Sequence, residues 1–160
     1  MNTAAQAETR FKRILFCTDF STSADAVFDF AIDAAIRRPG STLYVLHVVH
    51  EADAQFWKSY LQEVDDVEEQ TRRAIDEKIH SSYVNRVPAG LDVQIEVRVG
   101  PDAAEILDFA REKAIDLILI GREGHGGVRK AFFGSVAEKV VRKADCAVLV
   151  VPFSYASRPV

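Results

Sequence analysis

Residues 116–135 read DLILIGREGHGGVRKAFFGS. Leu117 to Ile120 form a short apolar run. Glycines follow at 121, 124, 126, 127 and 134, and from Ser135 an amphipathic helix pattern begins. A strand, a glycine-rich loop and a helix start, in that order, make a phosphate-binding turn. Backbone N–H groups exposed by the loop and the positive end of the helix dipole both attract anionic oxygens. Glycine at 121 and 124 lets a phosphate approach the backbone where a Cβ would hinder it. The plainer alternative, a surface connection, would suit an isolated G-x-x-G better than one followed by Gly134-Ser135 at a helix start.

Upstream, residues 1–10 are polar and small and read as a disordered leader. Arg13 to Cys17 is a strand candidate that ends in the polar turn Thr18-Asp19-Phe20-Ser21. Thr22 and Asp25 have capping-box spacing, and a helix runs to about Arg38 with Ala26, Val27, Phe30, Ala31, Ala34 and Ala35 on one face. Pro39-Gly40 stops it. Thr42 to Val49 is nearly all apolar or β-branched, as in a strand covered on both faces. Residues 50–60 show no clear period but carry Phe56, Trp57 and Tyr60, which suit either a pocket rim or the core. A charge-rich helix pattern starts near Leu61 and ends near Pro88. Leu91 to Val99 alternates apolar and polar residues, the mark of a strand at a sheet edge. Asp102 and Glu105 again have capping spacing before a helix through Ile106, Leu107 and Ala110. After the glycine loop come a helix over Ser135 to Lys143, a strand over Ala147 to Val151, and a tail over 153–160.

Strands alternating with helices imply an open parallel sheet with right-handed crossovers and helices on both faces. Ligands of such sheets sit beyond the carboxyl ends of the strands, where the strand order reverses. Thr18-Asp19 and Gly121 onward both lie at such ends.

The chain has 160 residues, 48% of them hydrophobic and 28% charged, with net charge −4, and a pI near 5.6. This fits one soluble domain. The acidic balance argues against a nucleic-acid partner, and no apolar run is long enough to span a bilayer. Residues 1–10 hold no signal-peptide core. Cys17 and Cys146 sit in apolar runs and read as buried thiols of a reducing, cytoplasmic compartment.

Gly121-x2-Gly124-x9-Gly134-Ser135 matches the glycine pattern of the ATP-binding branch of the universal stress protein family. The run from Ile14 to Ser21 resembles that family's first strand and acidic turn, Leu46 to Val49 the end of its second strand, and Lys143 to Pro152 its closing strand. The resemblance covers roughly residues 11–152. It implies a single universal stress protein domain: a five-stranded parallel sheet in the order 3-2-1-4-5, of the adenine nucleotide alpha hydrolase-like kind. It also implies a homodimer through the last strand (residues 147–151) and ATP, with Mg²⁺, in the crevice between strands one and four. Carried over by position, Asp19 and Val48 would meet the adenosine part. Gly121, Gly124, Gly134 and Ser135 would meet ribose and phosphates, with Val136 adjacent. Thr18, Arg122 and His125 complete the expected nucleotide-binding residues, and His125 is the histidine best placed in the sequence for a phosphate contact.

The residues between the first two glycines, Arg122 and Glu123, differ from the small hydroxyl and the basic or imidazole residue common in ATP-binding members. A carboxylate beside a triphosphate repels it unless a cation intervenes; Arg122, His125, Arg129 and Lys130 are the cations at hand. Two other functions follow from this region. One is a dimeric stress or interaction module without nucleotide. The other is a slow ATP hydrolase with Asp19 or Glu123 as base. By itself Asp19 also suits a turn former that accepts local N–H groups, Ser135 a plain helix start, and Val48 a core strand residue. His47 and His50 lie near Glu51 and Asp53, but their spacing does not make a metal site.

Overall fold

The computed structural model describes residues 10–54, 67–122 and 134–159. Five parallel strands, β1 (Arg13–Thr18), β2 (Thr42–Val49), β3 (Asp92–Val99), β4 (Leu117–Gly121) and β5 (Ala147–Val151), form one sheet in the order β3-β2-β1-β4-β5. This is the expected topology. It places the reversal of strand order at β1 and β4.

Side chains alternate across each strand, so β1 divides its apolar residues between two layers. Ile14 and Phe16 face helix α1 (Thr22–Ile36) and helix α2 (Val67–Ser82), where they meet Val27, Phe28, Ala31, Ile79 and Tyr83. Leu15 and Cys17 face helix α3 (Asp102–Glu112) and helix α4 (Ser135–Lys143), where they meet Ile106, Phe109, Ala137 and Val140. Burial on both faces is why β1, β2 and β4 read as continuous apolar runs rather than alternating ones. β3 is an edge strand, and its partial exposure along the whole length matches its polar alternation.

The carboxylate of Asp116 sets the β1–β4 register. Its Oδ2 accepts the backbone N–H groups of Lys12 (3.0 Å) and Arg13 (2.8 Å). Ile14 then pairs with Leu117 and Phe16 with Leu119. Two residues further up, the ends of β1 and β4 come level.

Local details differ from the sequence reading where a neighbouring residue does the job better. Ser21, not Thr22, caps α1: its hydroxyl accepts the N–H of Ala24 at 3.1 Å. The helix stops at Ile36, and its buried face is centred on Ala24, Val27, Phe28, Ala31 and Ala35, with Phe30 at the margin. Pro101 precedes α3 without a side-chain cap, so Asp102 and Glu105 serve as first-turn acids that complement the helix dipole. α2 ends at Ser82, and a 3₁₀ turn (Val84–Arg86) carries the chain on. The segment after Pro152 holds a short helix, α5 (Phe153–Ala156), whose Tyr155 ring lies 5.7 Å from that of Phe30 on α1. Cys17 is buried and Cys146 half-buried just before β5; both are free thiols. Phe56, Trp57, Tyr60 and the start of the long charged helix lie outside the described residues.

Candidate functional site

The carboxyl ends of β1, β2 and β4 lie side by side at one end of the sheet, and the start of α4 is tied to the residue that follows β4. Thr18 pairs with His47, so Asp19 leaves β1 beside Val48. Val48 and Val136, both partly buried, pack against the apolar layer of Leu15, Cys17, Ile118 and Ile120. Gly121 ends β4 opposite Val151. The N–H of Gly134 then donates to the carbonyl of Arg122 at 2.8 Å, which closes the base of the glycine loop and brings α4 to the tip of β4.

Gly134 stands at the N-cap of α4 in extended conformation, with no side-chain cap. The first intrahelical bond runs from the N–H of Glu138 to the carbonyl of Gly134 (3.0 Å). The N–H groups of Ser135, Val136 and Ala137 therefore have no intrahelical acceptor, and with the helix dipole they form an anion-attracting end. Ser135, the first residue of α4, is exposed. Gly124, His125 and Glu123, together with Arg129 and Lys130, lie outside the described residues. Of the predicted site residues, Thr18, Asp19, Val48, Gly121 and Arg122 lie at or just beyond the carboxyl ends of β1, β2 and β4, and Gly134, Ser135 and Val136 lie at the start of α4.

The turn after β1 is tightly tied. The N–H of Ser21 donates to Asp19 Oδ1 at 2.9 Å, so Asp19 does form the local turn expected of it as a plain turn residue. The N–H of Phe20 donates to Thr18 Oγ1 at 2.9 Å, and the same oxygen shares a 2.6 Å hydrogen bond with the hydroxyl of Tyr83. The Thr18 side chain is thus directed to the α1–α2 layer, and its backbone is the part that borders the crevice. Phe20 has a left-handed φ of 59°. For a residue with a Cβ that conformation costs about 1–2 kcal/mol, which the surrounding contacts offset. Its ring lies 4.6 Å from that of His47 and 6.1 Å from that of Tyr83, with Lys78 Nζ 4.4 Å above it.

His47 donates from Nδ1 to the carbonyl of Thr18 at 2.9 Å, because a carbonyl can only accept. Burial holds its pKa below the ordinary histidine value of 6.5, against the opposing pull of the Thr18 carbonyl and of Asp19. A depressed imidazole means that the unfolded chain binds the proton more readily than the folded one. The stability that His47 contributes is therefore complete above pH about 6.5 and falls as the pH drops through the folded-state value. Urea unfolding at pH 7.5 and pH 5.5 is expected to show a loss of stability on acidification that is smaller in His47→Gln; equal losses in both proteins would assign the effect elsewhere.

Sequence reasoning missed Tyr83, Phe20 and His47 as parts of this site. Phe20 and His47 flank residues that were singled out, but Tyr83 lies 65 positions from Thr18. Its only sequence signal is a tyrosine at the close of a long amphipathic helix.

Among the described residues no helix is long and apolar enough to cross a membrane. Residues 10–152 match the model of the universal stress protein family. A putative universal stress protein of Staphylococcus haemolyticus is 32% identical over 145 residues, covering 88% of this chain and 84% of that protein. A universal stress protein of Methanocaldococcus jannaschii is 28% identical over 156 residues, covering 90% and 84%. Among solved structures, protein MJ0577 superposes with a TM-score of 0.73 at 26% identity, covering 89% of this chain and 96% of its own. A universal stress protein from Archaeoglobus fulgidus in complex with dAMP shares the fold at a TM-score of 0.59 and 24% identity, covering 88% and 98%. The strand order, the acidic turn after β1, the glycine spacing after β4 and these matches agree: the chain belongs to the universal stress protein family.

Proposed function

We propose that this protein binds ATP in the crevice between β1 and β4 and acts as a homodimeric, nucleotide-dependent regulatory module of the cytoplasmic stress response. The observation that carries the reading is the hydrogen bond from Gly134 to Arg122. It sets the uncapped start of α4 at the tip of β4, the neighbour of the strand that Asp19 follows. Phosphate oxygens would take the N–H groups and hydroxyl at the start of α4. The adenosine end would lie against Val48 and Val136, with the Asp19 carboxylate as acceptor for an amino or hydroxyl group. The fold in another member of the family holds dAMP, a ligand of the same chemical class.

Mg²⁺ would arrive with the nucleotide. Among the described residues no three His, Cys, Asp or Glu side chains come together to hold a metal. The triphosphate and water would be its main ligands, as is usual for this hard ion.

The test is a calorimetric titration with MgATP, expected to give saturable binding at millimolar ligand or below. Absence of binding there would leave the second reading, a dimeric interaction module without nucleotide, for which Glu123 in the loop is the motivating residue. Adenine nucleotide released from the purified, denatured protein and detected by mass spectrometry would in turn eliminate that second reading.

The homodimer reading rests on β5. It is the outer strand beyond β4, and Ala147 and Leu149 on one of its faces are exposed, Leu149 to 42%. An exposed apolar edge strand is a ready template for pairing with a second copy. Leu149→Lys is expected to convert the dimer to monomer in sedimentation experiments. A protein that sediments as a monomer before substitution, or a dimer unaffected by the change, would move the interface off β5.

A further inference from the structure

Tyr83 is 1% exposed, and its ring packs among Phe16, Phe28 and Phe20. A phenylalanine would fill that space equally well. The hydroxyl is therefore not explained by packing, and buried polar groups are kept where they are matched. Its match is Thr18 Oγ1 at 2.6 Å, another buried hydroxyl, at the last residue of β1. That oxygen also receives the N–H of Phe20, and the Thr18 carbonyl receives the Nδ1–H of His47. The next N–H along, that of Ser21, goes to the Asp19 carboxylate. Asp19 thus stands between two fastened residues, in a turn that passes through a left-handed Phe20. A turn in a costly conformation keeps it only where its surroundings over-determine it.

We propose that Tyr83 is a positioning residue for the nucleotide crevice: its hydroxyl, bonded to Thr18, holds the turn that aims the Asp19 carboxylate at the adenosine end of the ligand. The end of α2 is thereby coupled to a site that it does not line. Tyr83 lies in the layer of α1 and α2, whereas Val48 and Val136 belong to the opposite layer. This rests on the nucleotide reading above and deepens it.

The experiment is a double-mutant cycle in MgATP titrations of the natural chain, Tyr83→Phe, Asp19→Asn and the double variant, repeated with AMP. Loss of one buried hydrogen bond predicts roughly three- to tenfold weaker binding for Tyr83→Phe. The loss should be equal for ATP and AMP, because Asp19 acts on the part they share. In the Asp19→Asn background Tyr83→Phe should cost nothing further. Thr18→Val, which removes the oxygen to which both Tyr83 and Phe20 are bonded, should weaken binding at least as much. A Tyr83→Phe protein that binds as tightly as the natural chain, or a loss that adds fully to that of Asp19→Asn, overturns the positioning role and leaves the nucleotide reading standing. A natural chain that binds neither nucleotide overturns both.

Discussion

Asp19→Asn is expected to weaken ATP binding by about 10- to 100-fold while leaving the folded structure intact. The carboxylate has one observed role and, in the proposed reading, a second at the ligand, and the substitution separates them. One oxygen accepts the N–H of Ser21 and shapes the turn, and an asparagine carbonyl can keep that bond. The negative charge and the second acceptor are lost, and an amide donor takes their place opposite the ligand's own donor. Hydrogen bonds to charged groups contribute about 1.5–3 kcal/mol, which corresponds to the stated range of affinity. Paired calorimetry and thermal unfolding check the result. Equal affinity in the two proteins would reduce Asp19 to a turn former.

The largest effect on stability is expected at Phe28. Phe28→Ala should destabilise the fold by about 3–5 kcal/mol, the usual cost of emptying an aromatic site in a packed core. Phe28 is fully buried where α1 meets β1 and the end of α2. Its ring lies 5.1 Å from Phe16 and 4.8 Å from Tyr83, and the guanidinium of Arg86 stands over it at 5.1 Å. The cavity would therefore open between three elements that cannot collapse together without disturbing β1. Chemical denaturation measures the loss. A change below 1 kcal/mol would contradict this placing of the core.

The topology was legible because burial writes directly into sequence. β1, β2 and β4, covered on both faces, read as continuous apolar runs, and the edge strand β3 alternates. The two halves of the proposed site were read from the sequence for a different reason. Anion binding needs glycine and a helix start after a strand, and Asp19 follows a strand directly. Both are local patterns in the chain. Which residue caps a helix was harder to read. Ser21 and Thr22 are adjacent and chemically alike, and the choice depends on where the turn after Asp19 releases the chain. Asp102 looked like a cap for similar reasons, yet Pro101 occupies that position and leaves Asp102 in the first turn. Tyr83 was not legible at all, because its role is a hydroxyl-to-hydroxyl contact across the α1–α2 layer, between residues far apart in the chain. The buried face of α1 includes Ala24 and Phe28, with Phe30 only partly buried, because packing against β1 and Tyr83 selects that side of the helix.

The charges outside the crevice have a mainly structural reading. Arg86 joins the 3₁₀ turn to α1 through Asp25 and Asp29. Arg98 lies over Phe109 and pairs with Glu112 on α3, and this holds the Glu112 carboxyl below its ordinary range. Arg86 thus ties the 3₁₀ turn to α1, and Arg98 ties the edge strand β3 to α3. The proposed crevice between β1 and β4 is where the acidic turn and the uncapped helix start would meet a ligand.

The most direct test of that crevice is an amide-resolved NMR titration with MgATP. The account predicts saturable shifts at Asp19, Phe20, Val48, Gly121, Arg122, Ser135 and Val136, with β3 and the outer face of α2 unchanged. No shift at millimolar nucleotide, or shifts confined to surfaces away from the ends of β1 and β4, would contradict it.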